Sequence, residues 1–572
     1  MYLYNNNWRS AVSTRWFHPL LLLTWFMIGI SLRLANLTGK PPWTDEFSTL
    51  VFSLGNSFLT VPLDQAIAPD ILLQPLQPQV TANVQDVWTH MSQETNHPPL
   101  YFFLAHWWMQ LFPTQGGLVS LWGARSLAAI FGAASIPAIY ALGWLTFRSR
   151  LVSHLAAAMM TVSPFGIFLA QEARHYTLAI LWVIASFACL VIATRHIQNQ
   201  TQLPISLVFS WIVINALGIA THYFFALTLV TEALVIIFLA WQQRSTKAKI
   251  SVFFSPLWQR IYIVAAGTFI SGLVWLPVFL QNRYGSQLTE WIQQPRVGFG
   301  WISPIFQVLA AWITMVYLLP IEAPQLGIAI TSGVVMLMFL IWALPILIRG
   351  FKVQLQQPEH QFMTQILTNL VVGAMALFFI FIYFLGIDLT RGARYNFVYF
   401  PAAIILLGAS LAVCWHDQSI GKWKITGKKA VILIWLMGFF SAVTVVSNLG
   451  YQKYYRPDLV VQLIQQRSQA PVLIANTQIT HVHIGEMMGL AREFKMKNSH
   501  SSSPLFLLAH QDLDPNTSTI ALDNTLKELP RPFDLWLVNF QAPIAEEVEK
   551  CEPDTQSLPA INGYKYQLYH CT

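Results

Sequence analysis

Long apolar segments separated by short polar connections dominate the first 450 residues of the chain. Eleven of them approach the roughly 20 residues that a helix needs to cross a bilayer. We predict membrane-spanning helices over 17–37, 121–147, 151–166, 172–194, 204–220, 223–242, 259–280, 324–348, 364–386, 397–416 and 430–449. If two further apolar runs also crossed, they would break the alternation of sides. We therefore predict helices lying in or dipping into the membrane interface over 98–113 and 303–320.

Basic residues orient these segments. Segment 38–120 contains Lys40 as its only lysine or arginine, so the positive-inside rule predicts that it lies on the outer face. Alternation then places 167–171, 281–303, 387–396 and the tail from 451 on that face as well. The basic clusters assigned to the cytoplasmic face are Arg9 and Arg15, Arg148 and Arg150, Arg195, Arg244, Lys247, Lys249 and Arg260, Arg349 and Lys352, and Lys422, Lys424, Lys428 and Lys429.

The last 122 residues differ in character from the rest. Half of the 26 acidic residues of the chain lie beyond residue 450. Short apolar runs at 472–475, 505–509 and 535–538 alternate there with helix-like stretches such as 481–494. We predict a membrane domain over 1–450, which includes the first outer loop 38–120, and a small extracytoplasmic α/β domain over 451–572.

Composition excludes a soluble protein. Hydrophobic residues make up 55% of the 572 positions and charged residues only 10%, more apolar surface than a soluble chain could bury. The formal net charge of +7 falls in short clusters between apolar segments, which is typical of membrane orientation and not of nucleic-acid binding. The 22 tryptophans suit either aromatic belts at the membrane interface or contacts with sugar and lipid.

The four cysteines fall into two pairs. Cys189 and Cys414 lie in apolar segments, whereas Cys551 and Cys571 lie in the polar tail and are candidates for a disulfide in an oxidising compartment. The first apolar run has no small-residue cleavage pattern after it, so we interpret it as a retained anchor.

Two adjacent carboxylates, Asp45 and Glu46, follow the first apolar segment directly. A carboxylate at the edge of a membrane helix is costly unless it has a function or a partner. A helix N-cap formed by Thr44 or Asp45 would also account for this pattern.

Further polar groups fall on the predicted outer face. Each has a simpler explanation: an ion pair at a helix end for Glu172 and Arg174, lipid headgroup anchors for the two arginines near residue 390, and an interface histidine at 222. Their common side favours a shared site, because anchors would be expected on both faces. The residues are His97, Glu172, Arg174, His175, His222, Arg391, Arg394 and Tyr395, with Glu290, Trp291 and Arg296 in a separate outer loop.

The order of these motifs resembles the family 39-type glycosyltransferases of the GT-C fold, which include protein O-mannosyltransferases and lipid A aminoarabinose transferases. The resemblance covers about residues 30–450. It is carried by the acidic pair and by "NHPPLYFFLAHWW", "ARSLAAIFGAASIPAIYALG", "SPFGIFLAQEARHYTLAIL", "THYFFALTLV" and "RYNFVYFPA". It implies transfer of a sugar from a polyprenyl-phosphate carrier to a hydroxyl acceptor at the outer face.

The resemblance assigns roles position by position. Asp45 matches the catalytic acidic residue of the family and Glu172 resembles its second acidic position. His97 stands where aminoarabinose transferases have a lysine that contacts the carrier phosphate, and Arg391 and Arg394 fall in an arginine–tyrosine segment suited to phosphate contacts. Departures at other positions argue against the zinc site and the aminoarabinose of that branch: Asn96 replaces a metal-binding glutamate, and Ser48 and Thr49 replace an arginine and a tyrosine.

We therefore expect a multi-pass plasma or inner membrane glycosyltransferase with Asp45, Glu46 and Glu172 as catalytic candidates. Its partners would be a lipid-linked sugar, a lipid, glycan or protein acceptor, and membrane lipids, with no nucleic acid. No cofactor is certain, and a divalent cation held by Asp45 and Glu172 is an open alternative. A transporter or flippase of a lipid-linked saccharide and a membrane acyltransferase with His97 or His222 as base are the competing interpretations.

Overall fold

The computed structural model describes residues 6–245, 255–280, 287–293, 295–417, 425–497, 503–514 and 516–572. Four of the basic residues used for orientation, Lys247, Lys249, Lys422 and Lys424, lie outside these ranges. The chain divides into two compact units. The membrane unit comprises Met1–Leu37, Ser126–Pro277 and Thr289–Tyr451, and the α/β unit comprises Thr38–Arg125, Val278–Leu288 and Gln452–Thr572.

Helices make up most of the described chain. In chain order they are α1 (Asn6–Leu34), α2 (Thr44–Ser53), α3 (Pro69–Leu72), α4 (Val84–Glu94), α5 (Leu100–Met109), α6 (Leu121–Phe147), α7 (Arg150–Val162), α8 (Pro164–Ala170), α9 (Tyr176–Gln198), α10 (Ile205–Thr221), α11 (Phe225–Ser245), α12 (Pro256–Leu273), α13 (Leu276–Leu280), α14 (Ser303–Val316), α15 (Leu326–Gln356), α16 (Pro358–Phe384), α17 (Phe400–Trp415), α18 (Gly427–Val446), α19 (Pro457–Arg467), α20 (His481–Met496), α21 (Asn516–Glu528) and α22 (Glu546–Glu549).

The membrane unit confirms the prediction of a polytopic helical protein. Within the described residues, eight helices are long and apolar enough to cross a bilayer, or nine if the bent pair α7 and α8 forms one span. Of the predicted segments, 204–220 and 397–416 correspond to the shorter apolar helices α10 and α17. The total of eleven spans stays a prediction, as does the interfacial placement of the runs that form α5 and α14.

The bend between α7 and α8 measures 56° and follows from Ser163-Pro164. Proline cannot donate to the helix ladder, so the chain leaves α7 there, and the Ser163 hydroxyl accepts a hydrogen bond from the Gly166 amide at 3.2 Å. Arg33, which is fully buried on α1, donates through its guanidinium to the Met160 carbonyl at 3.0 Å and the Thr161 carbonyl at 3.3 Å. A buried arginine thus satisfies the carbonyl groups at the end of α7.

The predicted span 172–194 starts too early. Residues 171–175 form a turn after α8, and α9 begins only at Tyr176. Polar groups at this position close a turn between two helices, with the Arg174 amide donating to the Glu172 carbonyl at 2.7 Å. The turn presents Glu172, Arg174 and His175 together.

The α/β unit is built on a six-stranded sheet in the order β1-β3-β2-β4-β6-β5. Three parallel central strands are flanked by antiparallel ones, and they include all three short runs predicted from the sequence. Helices and strands alternate from α19 to β5, which confirms the predicted small α/β domain. The strands are β1 (Ala66–Ile67), β2 (Val472–Gln478), β3 (Leu505–His510), β4 (Phe533–Val538), β5 (Glu552–Pro553) and β6 (Tyr566–Cys571).

Segment 38–125 packs with the C-terminal residues. Its strand β1 pairs with β3, and helix α20 lies against α2, where a Cβ atom at Gly485 would come 3.4 Å from the Phe47 Cβ. By its contacts this segment belongs to the α/β unit, and the division into domains over 1–450 and 451–572 stays a prediction.

The four cysteines comprise one disulfide and two free thiols, as their positions in the sequence indicate. Cys551 and Cys571 form a disulfide that joins the end of α22 to the last strand. Cys189 and Cys414 are buried thiols in α9 and α17.

Candidate active site

The acidic pair lies in the first turn of α2. Trp43 occupies the N-cap position and makes no side-chain cap hydrogen bond, so Thr44 and Asp45 are inside the helix and the N-cap interpretation is wrong. Carboxylates in the first turn are stabilised by the partial positive charge of the helix N-terminus. The two differ in exposure: Asp45 is half-buried, whereas Glu46 is fully buried.

Glu46 is held by two cations of the same unit. Arg125, also fully buried, grips it in two places: Nε donates to Oε1 and Nη2 to Oε2, each at 2.8 Å. The Lys453 Nζ lies 3.7 Å from Oε2, and Arg125 Nη1 donates to the Lys40 carbonyl at 2.9 Å. We call Glu46, Arg125 and Lys453 the ion triad. It ties the start of α2 to Arg125 and to the C-terminal segment.

Sequence reasoning missed the two cations of this triad. Arg125 lies within the predicted span 121–147, and arginine is rare in membrane helices unless it has a partner. Lys453 follows the last span on the predicted outer face, where the positive-inside rule disfavours lysine. Each exception was therefore a signal that could have been followed.

His97 lies in the α/β unit, in the connection between α4 and α5. Its Nδ1 is 2.9 Å from the Thr95 hydroxyl oxygen, and its ring centroid is 6.2 Å from that of Phe102. The side chain is half-buried, so part of the imidazole is accessible.

Five of the predicted donor-binding residues come together in the membrane unit. The ring centroids of His175 and His222 are 4.6 Å apart, and those of His222 and Tyr395 are 6.2 Å apart. The Arg174 guanidinium carbon lies 5.9 Å from the Tyr176 ring centroid, and Tyr176 in turn lies 4.6 Å from His175. The Arg394 guanidinium carbon lies 5.9 Å from the Tyr395 ring centroid.

Trp291 extends this group. Its ring stacks on Tyr395 at a centroid distance of 6.3 Å, and the Arg394 guanidinium carbon lies 5.5 Å from its ring centroid. We call Tyr176, His175, His222, Tyr395 and Trp291 the aromatic row. It carries Arg174 near one end and Arg394 near the other, which is a suitable arrangement for a ligand with an anionic group and an apolar or sugar moiety.

Arg391 is held by an acid that the sequence analysis did not single out. The buried Asp388 carboxylate lies 3.4 Å from Arg391 Nε and 3.0 Å from Arg296 Nη2, so two guanidinium groups share one carboxylate. Arg391 Nη1 also donates to the Trp291 carbonyl at 2.6 Å. The acid lies three residues before Arg391, a spacing that could have indicated the pair.

The candidate site residues are divided between the units. Asp45, Glu46 and His97 lie in the α/β unit, and Glu172, Arg174, His175, His222, Arg391, Arg394 and Tyr395 lie in the membrane unit. Glu172 is buried in the turn between α8 and α9. Among the described residues, no group of three or more His, Cys, Asp or Glu side chains could hold a metal ion. Cation binding by Asp45 and Glu172 stays a prediction.

A further carboxyl group, Glu486 on α20, is almost completely buried and accepts a hydrogen bond from Asn539 Nδ2. Burial raises its pKa from 4.5 to about 8, an effect that the bond from Asn539 partly opposes. The folded chain therefore keeps the proton up to about pH 8, whereas the unfolded chain releases it near pH 4.5. The contribution of this proton to the free energy of unfolding is therefore highest at low pH and decreases as the pH rises from about 4.5 to about 8.

Replacing Glu486 by Gln should therefore weaken the pH dependence of stability. Glutamine keeps the oxygen that accepts from Asn539 but does not titrate. We expect the melting temperature of the purified variant to match the wild type at pH 5 and to exceed it at pH 8.5. Each unit of pKa difference corresponds to about 1.4 kcal/mol. A constant difference in melting temperature across this range would contradict the assignment.

Neither a scan of protein-family models nor a search of curated proteins gave a match. Among solved structures, the chain is similar to ArnT from Cupriavidus metallidurans bound to undecaprenyl phosphate, with 10% identity, 98% of each chain covered and a TM-score of 0.47. It is similar to the oligosaccharyltransferase of Archaeoglobus fulgidus, with 11% identity over 91% of this chain and 69% of that chain and a TM-score of 0.44. The S. cerevisiae protein O-mannosyltransferase Pmt1-Pmt2 complex bound to the sugar donor is similar over 47% of this chain and 35% of that chain, with 13% identity and a TM-score of 0.33.

Proposed function

We propose that this protein is a GT-C-type membrane glycosyltransferase that moves a sugar from a polyprenyl-phosphate donor to a hydroxyl acceptor at the outer face of the membrane. The observation that carries the proposal is the aromatic row. Residues chosen from three separate sequence segments as donor-binding candidates, Arg174 and His175, His222, and Arg394 and Tyr395, lie in one cluster of the membrane unit.

The donor requires neutralisation of charge more than protonation, because a polyprenyl phosphate is already a good leaving group. Arginine suits this task, since its planar fork binds two phosphate oxygens at once. Arg394 provides the phosphate contact beside Trp291 and Tyr395, whose rings pack against the sugar or the isoprenoid. Arg391 is oriented by Asp388 and adds positive charge. His97, when protonated, assists this neutralisation of the phosphate charge.

Asp45 acts as the base. Its carboxylate takes the proton of the acceptor hydroxyl as that oxygen attacks the anomeric carbon, and the bond to the phosphate oxygen breaks with both electrons going to the phosphate. A single displacement of this kind inverts the configuration at the anomeric carbon. Glu46 is held by Arg125 and Lys453 of the ion triad and thereby positions its neighbour Asp45. Glu172 orients the acceptor or holds a divalent cation.

A direct test is transfer from labelled donors. Membranes containing the protein are incubated with a radiolabelled polyprenyl-phosphate sugar or a radiolabelled acyl donor, and membranes of a deletion strain serve as the control. We expect label from the sugar donor to appear in a lipid, glycan or protein fraction of the protein-containing membranes only. Label transferred from the acyl donor, or a donor that changes leaflet without losing its sugar, would refute the proposal.

Replacing Arg394 by Ala should weaken use of the donor. A charge-assisted hydrogen bond contributes about 1.5–3 kcal/mol, so the donor KM should rise about 10- to 100-fold. Arg349→Ala is the matched control, because Arg349 is exposed and pairs with Asp417 at 3.2 Å, outside the aromatic row. Equal donor KM values for the two variants would reduce Arg394 to a membrane anchor.

A further inference from the structure

The chain between the last span and α19 passes beside the acidic pair. Lys453 is buried, and its Nζ lies 3.7 Å from Glu46 Oε2 and 5.5 Å from the Trp43 ring centroid. Trp43 and Glu46 flank Asp45 in the sequence on its two sides. The segment 452–456 therefore runs directly along the first turn of α2.

Helix α20 packs against the same turn. A Cβ atom at Gly485 would lie 3.6 Å from the Thr44 carbonyl oxygen, and one at Gly489 would lie 3.6 Å from Phe47 Cε2 and 3.5 Å from Pro457 Cγ. A Cβ atom at either position would be in ordinary van der Waals contact, so α20 lies directly against α2 and Pro457 there. Residues of the C-terminal segment thus border the residue proposed as the base.

Tyr455, in the segment beside α2, has its ring fixed from several directions. Its ring centroid lies 5.6 Å from that of Tyr564 in an edge-on arrangement and 5.3 Å from that of Tyr454. Gly563 packs against this ring, since a Cβ atom at position 563 would lie only 2.8 Å from Tyr455 Cδ1. The φ of +85° at Gly563 also favours glycine. The turn at 561–564 therefore determines where the Tyr455 ring lies.

The Tyr455 hydroxyl group has a specific electrostatic environment. Burial raises its pKa above the ordinary value, and the charges of Glu486, Tyr454 and Asp45 raise it further. The group therefore stays a phenol, a hydrogen-bond donor, within the segment that runs along the first turn of α2. Tyr455 is half-buried, so part of its side chain is accessible.

We propose that Tyr455 binds the acceptor beside Asp45, so that the C-terminal segment contributes a substrate-contacting residue to the reaction. The inference rests on the proposed glycosyl transfer. Asp45 accepts the proton of the nucleophilic hydroxyl, and the Tyr455 phenol donates a hydrogen bond to a neighbouring oxygen of the acceptor. Molecules with adjacent oxygens, such as a sugar or a glycerolipid headgroup, meet this requirement.

Tyr455→Phe removes the donor and keeps the ring. Membranes of a strain lacking the protein supply the acceptor and are titrated at saturating labelled polyprenyl-phosphate sugar, then the donor is titrated at saturating acceptor. We expect the half-saturating amount of acceptor membranes to rise about 2- to 13-fold, the value of a neutral hydrogen bond of about 0.5–1.5 kcal/mol. The donor KM and the melting temperature should not change.

Tyr454→Phe is the matched control, since this neighbouring tyrosine is 68% exposed, and it should behave as the wild type. An unchanged acceptor requirement for Tyr455→Phe, or a change confined to the donor KM, would overturn this inference while leaving the proposed function in place. A wild-type protein that transfers no sugar under these conditions would overturn both.

Discussion

Asp45→Asn should reduce sugar transfer by about 100- to 10,000-fold without changing the fold. A positioned base accounts for about 100- to 10,000-fold in rate, and asparagine cannot accept the proton of the acceptor hydroxyl. Asparagine has almost the shape of aspartate, and Asp45 is half-buried outside the ion triad, so the ordered start of α2 should persist. The measurement is the initial rate of label transfer by purified variant and wild type, with melting temperatures recorded in parallel.

Two further variants make this result specific. Asp70→Asn is the control, because Asp70 is an exposed carboxylate of the same unit that pairs with Lys495 at 2.6 Å, and it should retain full activity. Asp45→Glu keeps a carboxylate but displaces it by one methylene, so it should retain more activity than the asparagine variant. If Asp45→Asn kept most of the transfer rate, Asp45 would not be the base.

Arg125→Met should destabilise the α/β unit and lower activity as a consequence. The substitution leaves the buried Glu46 carboxylate with Lys453 at 3.7 Å as its remaining partner in the ion triad. Removing one partner of a buried ion pair costs about 3–5 kcal/mol, because the other charge stays buried without compensation. Thermal unfolding of the purified variant should show a clear loss of stability, accompanied by a displaced α2 and weaker transfer.

The double variant Arg125→Met, Glu46→Leu tests the cause. When both charges of the pair are removed, no carboxylate is left uncompensated, so the double variant should be more stable than Arg125→Met alone. Destabilisation equal to the sum of the two single effects would show that the residues act independently. Arg531→Met is a suitable control, since this arginine of the same unit contacts Glu547 at 3.4 Å and is partly exposed.

The sequence alone predicted the elements of the fold well. The helix expected over 121–147 is α6 with the same limits, and the runs at 472–475, 505–509 and 535–538 fall within β2, β3 and β4. These predictions succeed because length and apolar content are local properties: about 20 apolar residues can cross a bilayer only as a helix. The start of α9 was predicted four residues too early, because the polar turn before it is short and adjoins an apolar run.

The pairing of distant segments was decided by the tertiary structure. Nothing local indicated that β1 of the first long loop would pair with β3, or that Glu46 would meet Arg125, 79 residues away. The pairing of Asp388 with Arg296, in a distant segment, is of the same kind. Which charges meet depends on how helices and strands pack, and a single sequence does not encode such distances in a form that periodicity or composition can reveal.

The sequence by itself thus determined that this is a multi-pass helical membrane protein with a small α/β domain, and it supplied the polar residues for which we propose a lipid-linked sugar site. Only the tertiary structure joined 38–125 with the C-terminal residues and placed Lys453 beside the helix that carries Asp45. The physical reason is that apolar length selects elements locally, whereas ion pairs and ring contacts form only after distant segments have been packed together.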